Sequence, residues 1–146
     1  MKFHAKFFDE LTTKELYEIM RARSQIFVVE QGIKYCDFDR VDYDSLHCFL
    51  VDGDDVIGCL RAYRTEEYRD AVMLGRVLTL THGCGYGQAL MEKSLAAIKD
   101  RLSCDTLFIH SQKHAVGFYE IFGFRVISEE FIEAGIPHIA MKLENL

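Results

Sequence analysis

The 146-residue chain has no tryptophan, a single proline and 10 glycines. So little of either helix breaker excludes a collagen-like or low-complexity chain. Its five cysteines, Cys36, Cys48, Cys59, Cys84 and Cys104, are odd in number and lack paired spacing. That excludes a disulfide framework and a C-x-x-C zinc pattern, and leaves reduced thiols. The six histidines are equally dispersed, so no metal is expected. No stretch approaches 18 uncharged apolar residues, and residues 1–10 carry charge where a signal peptide would be apolar. No membrane span is expected, and cytoplasmic residence is the expectation that follows. Positive charge is scarce too, with 17 Lys plus Arg against 23 Asp plus Glu for a net −6. Phosphate backbones demand clustered cations, so nucleic acid is not an expected partner. Cationic small partners such as amines suit the balance.

What the chain does have is apolar material, 49% of its residues, enough to bury one ordinary core. No repeat, linker or biased segment interrupts it, so one domain over residues 1–146 is expected. An aromatic-rich stretch at 2–8 reads as a first strand. Thr12 then offers a helix cap with Glu15 three residues on, a capping box. Leu16, Ile19, Met20 and Phe27 recur behind it at helical spacing. Arg23 falls on that apolar stripe, which leaves two readings: a stem that snorkels to water, or a guanidinium pinned inside and facing an acid or a site. Phe27-Val28-Val29-Glu30-Gln31-Gly32 leaves the helical period and breaks at Gly32. A polar loop at 35–44 holds Asp37, Asp39, Asp42 and Asp44. Strands at 46–51 and 56–63 are joined through Asp52-Gly53-Asp54-Asp55, a hairpin signal. Further strands are expected at 71–80, 106–109, 124–127 and 139–143. A helix is expected from about Gln88, with Leu90, Met91, Ser94, Leu95, Ile98 and Leu102 on one face, and a shorter one at 115–122. Strands interspersed with helices indicate an α/β class, a mixed α+β sheet.

The most informative stretch is a strand, a glycine-rich turn and a helix: Arg76-Val77-Leu78-Thr79, then His82 to Gly87, then the helix. Glycines ahead of a helix let backbone N–H groups converge on an anion, and the helix dipole adds favourable potential. A phosphate or pyrophosphate is the natural ligand, although such turns also serve packing alone. The Lys-Ser/Thr of a nucleotide-hydrolase loop is missing, and the turn sits too far along the chain for a dinucleotide fold. About 25 residues later stand Gln112, Phe118-Tyr119 and Gly123-Phe124, which by themselves read as a helix face packed on a sheet.

Together these two elements resemble the GCN5-related N-acetyltransferases, the GNAT family. Its acyl-CoA motif, Arg/Gln-x-x-Gly-x-Gly/Ala, is matched by His82-Gly83-Cys84-Gly85-Tyr86-Gly87 except at the first position. Its second motif places a polar residue seven positions ahead of a Tyr that closes a short helix before Gly-Phe, as Gln112 and Tyr119 do. The resemblance sharpens to the ElaA-like branch. Phe27-Val28-Val29-Glu30-Gln31, Asp39, Asp42, Gly75-Arg76-Val77, His114 and Gly135-Ile136-Pro137-His138-Ile139 stand in that branch's order across nearly the whole chain.

The resemblance implies a GNAT fold whose fourth and fifth strands splay apart to admit acetyl-CoA as cosubstrate, with no metal. Val77, Leu78 and Thr79 would pair through their backbone with the pantetheine arm. One of their N–H groups would face the charge developing on the thioester oxygen. His82, Gly83, Cys84, Gly85, Tyr86, Gly87 and Gln88 would cradle the pyrophosphate. Gln112, Phe118 and Tyr119 would complete the carrier site, with Tyr119 the acid that protonates the departing thiolate. Two features depart from the family pattern. His82 stands in place of Arg or Gln, and only Leu80 and Thr81 separate it from Thr79.

The acceptor would be a primary amine of a small molecule or peptide. An alkylammonium must lose a proton before it attacks, so a base near the cleft is useful. Glu30, His138 and His47 are the candidates, and Gln31, Asp39 and Asp42 join Glu30 and His47 as candidate acceptor contacts. Glu30 could equally pair with Arg23 or Arg76, His138 could be a turn residue, and the aspartates could be a solvated loop face. An enzyme that transfers directly, without a Cys84 acyl intermediate, is the first reading. A non-catalytic acyl-CoA-binding or regulatory module on the same scaffold is the second. Either would be a monomer or homodimer.

Overall fold

The computed structural model of the chain describes residues 1–68 and 71–146. Among the described residues eight strands form one sheet: β1 (Lys2–Phe7), β2 (Leu46–Asp52), β3 (Asp55–Arg64), β4 (Val72–Thr79), β5 (Leu107–Gln112), β6 (Arg125–Val126), β7 (Phe131–Glu133) and β8 (Ile136–Leu143). Their order is β1-β2-β3-β4-β5-β8-β6, with β7 also on β8. Every pairing is antiparallel except β4 with β5. The described residues also form three α-helices: α1 (Thr13–Arg23), α2 (Tyr86–Leu102) and α3 (Val116–Glu120).

The alternation of side chains across the sheet explains its two apolar layers. Leu46, Cys48 and Leu50 of β2, Leu60 and Ala62 of β3, and Val72 and Leu74 of β4 pack under Leu90, Met91 and Ile98 of α2 and Tyr119 of α3. Phe49 and Cys59 point the other way, against Ile19 and Ala22 of α1 and Ile26. Leu78 joins this second layer, although the parity of Val72 and Leu74 would place it in the first. The reason is a one-residue bulge: β3 advances from Cys59 to Arg61 while β4 steps from Leu78 back to Gly75. An inserted residue reverses which face the rest of the strand presents, and it bends the strand.

The capping box forms as the sequence dictates: Glu15 N–H donates to Thr12 Oγ1, and Thr12 N–H donates to the Glu15 carboxylate. Past Arg23 the helix does not stop. It widens into a π-helical segment, Ser24–Glu30, then ends at Gly32 with φ of 65°. The wide turn accounts for the lost 3.6-residue period at Phe27-Val28-Val29, where two adjacent β-branched residues resist the tighter coil.

The other departure is at the C-terminal hairpin. β8 starts at Ile136, three residues before the expected strand, and β7 was not expected at all. Ala134 and Gly135 take the two positive φ angles of a tight hairpin turn, 51° and 73°. An alanine there hides the turn signal from the sequence.

Candidate active site

β4 and β5 pair over only three positions: Val72 with Leu107, Met73 with Phe108 and Leu74 with Ile109. Beyond them β4 stays with β3, Leu78 opposite Cys59, while β5 stays with β8 as far as Gln112 opposite His138. The bulge sits at this parting. Arg76 takes a positive φ of 52°, a costly conformation for a residue with a Cβ, and the bend carries β4 away from β5. Leu80 N–H donates to the Ile57 carbonyl at 2.8 Å. By antiparallel alternation Thr79, one residue back, turns its amide and carbonyl away from β3 toward the opened edge.

The gap is a groove of about 560 Å³. It is lined by Val77, Leu78, Thr79, His82 and Gly87 on one side and by Gln112, Phe118 and Tyr119 on the other. At one end stands the glycine turn before α2. Gly83 and Gly85 hold φ of 79° and 76°, and Gly85 is the N-cap residue. Ala89 N–H makes the first bond of the helix, to the Gly85 carbonyl, so the amides of Tyr86, Gly87 and Gln88 have no partner inside it. Gly87 serves a different purpose. A Cβ there would meet the Phe118 ring at 3.3 Å, a contact tight enough to push the ring back by a few tenths of an ångström, so the glycine eases the close approach of α3 to α2. Cys84 is exposed on the turn.

Tyr119 is buried to 6% exposure, stacked edge-on between Phe118 and Phe124. Among the described residues its hydroxyl has no hydrogen-bond partner, and it is not sealed from the groove. Burial pushes the phenol above its ordinary range, so it holds its proton at neutral pH.

The aspartate loop behaves differently from either reading of the sequence. Arg23, 1% exposed, donates through Nε to Asp37 at 3.0 Å and through Nη1 to Asp42 at 2.6 Å. Arg61, on β3, donates to Asp42 at 3.1 Å and to Asp39 at 2.6 Å. Arg76 completes the circuit, reaching Asp37 at 2.7 Å and Asp39 at 3.4 Å. Three guanidinium groups and three carboxylates thus alternate in a closed ring. Burial would push the Asp39 carboxyl up, yet the Arg61 fork and the Arg61 and Arg76 charges outweigh it and hold it at about 2. Asp42 is lowered in the same way, against the burial penalty, by Arg23 and Arg61.

Asp42 is 5% exposed and does not line the groove, so it is corrected from acceptor contact to structural ion. Asp39 borders the groove with its charge already matched. His47 is likewise corrected. It is 2% exposed, its Nε2 sits 2.9 Å from the Asp42 carbonyl, and burial lowers its pKa, none of which gives it access to a substrate. Glu30 is exposed and reaches His82 Nε2 at 3.5 Å, beside the glycine turn rather than at the parting of the strands. Gln31 does line the groove and accepts from Gln112 Nε2 at 3.1 Å, while Gln112 Oε1 pairs with His114 Nε2 at 2.8 Å. His138 lines it too, 7% exposed, with Nδ1 on the Ile136 carbonyl at 2.7 Å.

Reasoning from sequence passed over a second polar group beside His138. His110 of β5 contacts Glu133 of β7 through Nδ1 at 2.9 Å and Tyr68 Oη through Nε2 at 2.9 Å. Glu67 approaches the same Nε2 at 3.8 Å, and Glu133 extends its other oxygen to His138 Nε2 at 3.8 Å. The polar alternation of β5, with His110 and Gln112 flanking buried Ser111, is the one signal that would have found it.

The chain matches the model of the acetyltransferase (GNAT) domain over residues 38–145. It is 32% identical to the protein ElaA of Escherichia coli, over 92% of this chain and 91% of that protein. The crystal structure of Escherichia coli ElaA superposes with a TM-score of 0.90, covering 98% of this chain and 99% of that one. An acyl-CoA N-acyltransferase from Pseudomonas aeruginosa superposes at 0.89, with 30% identity and the same coverage. An aminoglycoside 6′-N-acetyltransferase crystallised with coenzyme A shares the fold at 0.73 and 14% identity, over 98% and 97% of the two chains.

Proposed function

The chain belongs to the GNAT family of acetyltransferases, in its ElaA-like branch, and from that premise we propose that it moves an acetyl group from acetyl-CoA to a primary amine of a small molecule or peptide by direct attack. One observation carries this reading: β4 leaves β5 after Leu74 and turns an unpaired backbone edge into a groove that ends at a helix N-terminus. An extended polyamide arm can take the place of the missing strand, as a peptide does when it adds to a sheet edge. The pyrophosphate of the carrier then meets the free amides of Tyr86, Gly87 and Gln88 above Gly83 and Gly85. His82 stands at this end, with Glu30 as its neighbour. Gly87, by leaving room for Phe118, supports this reading by letting α3 stand close beside the turn.

In the transfer, the amine nitrogen attacks the thioester carbon and negative charge gathers on the carbonyl oxygen. An outward backbone amide of the 77–79 segment faces that oxygen, a fixed donor that needs no reorganisation. As the C–S bond breaks, Tyr119 supplies a proton to the sulfur. A phenol held protonated by burial suits the task, because the same apolar surroundings also raise the proton affinity of the leaving thiolate.

The test is thiol release from acetyl-CoA with a panel of polyamines, arylamines, amino acids and peptides. Turnover with at least one amine is expected. Tyr119→Phe should lower kcat by about 10²- to 10⁴-fold while calorimetry shows acetyl-CoA binding unchanged. Coenzyme A binding without turnover across the panel would instead establish a non-catalytic module.

A further inference from the structure

The direct-transfer reading leaves one proton unassigned, the one an alkylammonium must lose before it can attack. Glu30 sits beside the glycine turn, and His47 is sealed under the aspartate loop. At the parting of β4 and β5, beside the last paired residue Ile109, stands the group around His110. We infer that His110 is the general base of the acceptor side, taking the ammonium proton at Nε2 while Glu133 holds Nδ1, an assignment that rests on the acetyltransferase reading above.

The hydrogen bonds fix the tautomer. Glu133 is a carboxylate and can only accept, so His110 Nδ1 carries the hydrogen of their 2.9 Å contact. Tyr68 Oη, 2.9 Å from Nε2, shares its one hydrogen between that lone pair and the Glu67 carboxylate. Nε2 is therefore an acceptor whose phenol partner an incoming ammonium can replace. Burial, with Glu67 nearby, pushes the Tyr68 hydroxyl above its ordinary range and keeps it a donor. Among the described residues, the charged and titratable neighbours of His110 are Glu133 from β7, Glu67 and Tyr68 from the segment between β3 and β4, and His138 of β8 through Glu133. Phe131 adds an edge-on ring at 5.2 Å. The hydrogen bond from His110 to Glu133, offset in part by burial, raises the imidazole above its ordinary range.

His138 does not fill the role as well. Its Nδ1 is spent on a backbone carbonyl, and its Nε2 faces the far oxygen of Glu133 at 3.8 Å. It helps to position Glu133. The arrangement of a base within reach of the reacting group, oriented in turn by a carboxylate, is the one general-base catalysis requires.

The protons balance. R–NH3⁺ gives one to His110 Nε2 and becomes R–NH2; the nitrogen lone pair forms the C–N bond. The C–S bond breaks with its electron pair on sulfur, which takes the Tyr119 proton. The protonated amide nitrogen returns one proton to the Tyr119 oxygen. His110 releases its own to water, so the sum is amide, free thiol and one H⁺.

The test measures kcat against pH at saturating amine for wild type, His110→Gln and Glu133→Gln. One series uses an alkylamine and the other an arylamine, which is already a free base at neutral pH. Wild type should lose kcat on the alkylamine as pH falls through an acid limb above the ordinary histidine range. Glu133→Gln should move that limb to lower pH, because it removes the group that raises it. His110→Gln should abolish the limb and cut kcat on the alkylamine by about 10²-fold or more, with less than about threefold loss on the arylamine. Equal losses on both amines, or an unmoved limb in both variants, would overturn the assignment while leaving the transferase intact. Inertness of wild type toward every amine would remove the transferase reading and this assignment with it. Thermal unfolding and acetyl-CoA calorimetry check that His110→Gln is folded; if it is not, the limb shift in Glu133→Gln decides.

Discussion

Two polar clusters border the same groove, and they are built on opposite principles. In the ring of Arg23, Asp42, Arg61, Asp39, Arg76 and Asp37, every charge has two neighbours of the opposite sign. In the cluster of His110, Glu133, Glu67 and His138, the two carboxylates have no Lys or Arg within 4 Å among the described residues, only histidines. The first is closed and mostly buried; the second is open to the groove and can change its charge near neutral pH. Closed neutrality makes a structural tie. It joins the end of α1, the loop after it, β3 and the bulge of β4, and so holds β4 where it leaves the sheet. Unmatched acid beside an imidazole makes a place for an incoming cation and its proton.

The sharpest way to break this comparison is Asp42→Asn. Two buried guanidinium groups would lose a shared charge, and breaking a buried pair in this way costs about 3–5 kcal/mol. The folding equilibrium should fall by roughly 10²- to 10⁴-fold and the melting temperature by about 10 °C, read by denaturant and thermal unfolding. Turnover per folded molecule should persist at low temperature. Unchanged stability with lost turnover would return Asp42 to the substrate.

A pH scan sharpens the contrast by separating two transitions. Asp39 and Asp42 have folded pKa values below the ordinary carboxylate value of about 3.8, so their contribution is complete above it and drains away as pH falls toward 2. His47, lowered by burial, adds a loss as pH falls below about 6.5, whereas His110, raised, adds stability there and loses it as pH rises through its folded value. The two histidines oppose each other. Stability should be greatest at about pH 6.5, ease on either side as His47 protonates below it and His110 deprotonates above it, and collapse only below about 4, while turnover of an alkylamine already fails in the histidine range. A single coincident transition would merge the two clusters into one.

The smallest expected effect is at the glycine turn. Cys84→Ala should change kcat by less than about twofold, measured by thiol release. A dead variant that still binds coenzyme A would point to an acyl-enzyme and away from direct transfer.

The fold was largely readable because local signals and the family's glycine and tyrosine motifs agreed. The Thr12 and Glu15 capping box, the Asp52–Asp55 hairpin and the apolar face of α2 all form where the side-chain pattern puts them. The glycine turn and Tyr119 at the groove were legible for the same reason: they lie in two short, continuous stretches. The acceptor side was not. Asp39, Asp42 and His47 were picked as reachable groups and proved to be bonded or buried, while His110 and Glu133 went unremarked.

What the sequence alone determined is therefore the order of elements, the glycine turn and the tyrosine that faces the groove, each set by residues close together in the chain. Only the tertiary structure decided which acids are neutralised. Arg61 and Arg76 lie 22 and 37 residues from Asp39, and His110 lies 23 from Glu133. Whether a carboxylate is a tie or a reagent depends on which cation stands within about 3 Å of it, and that distance is fixed by the pairing of strands, not by their spacing in the chain.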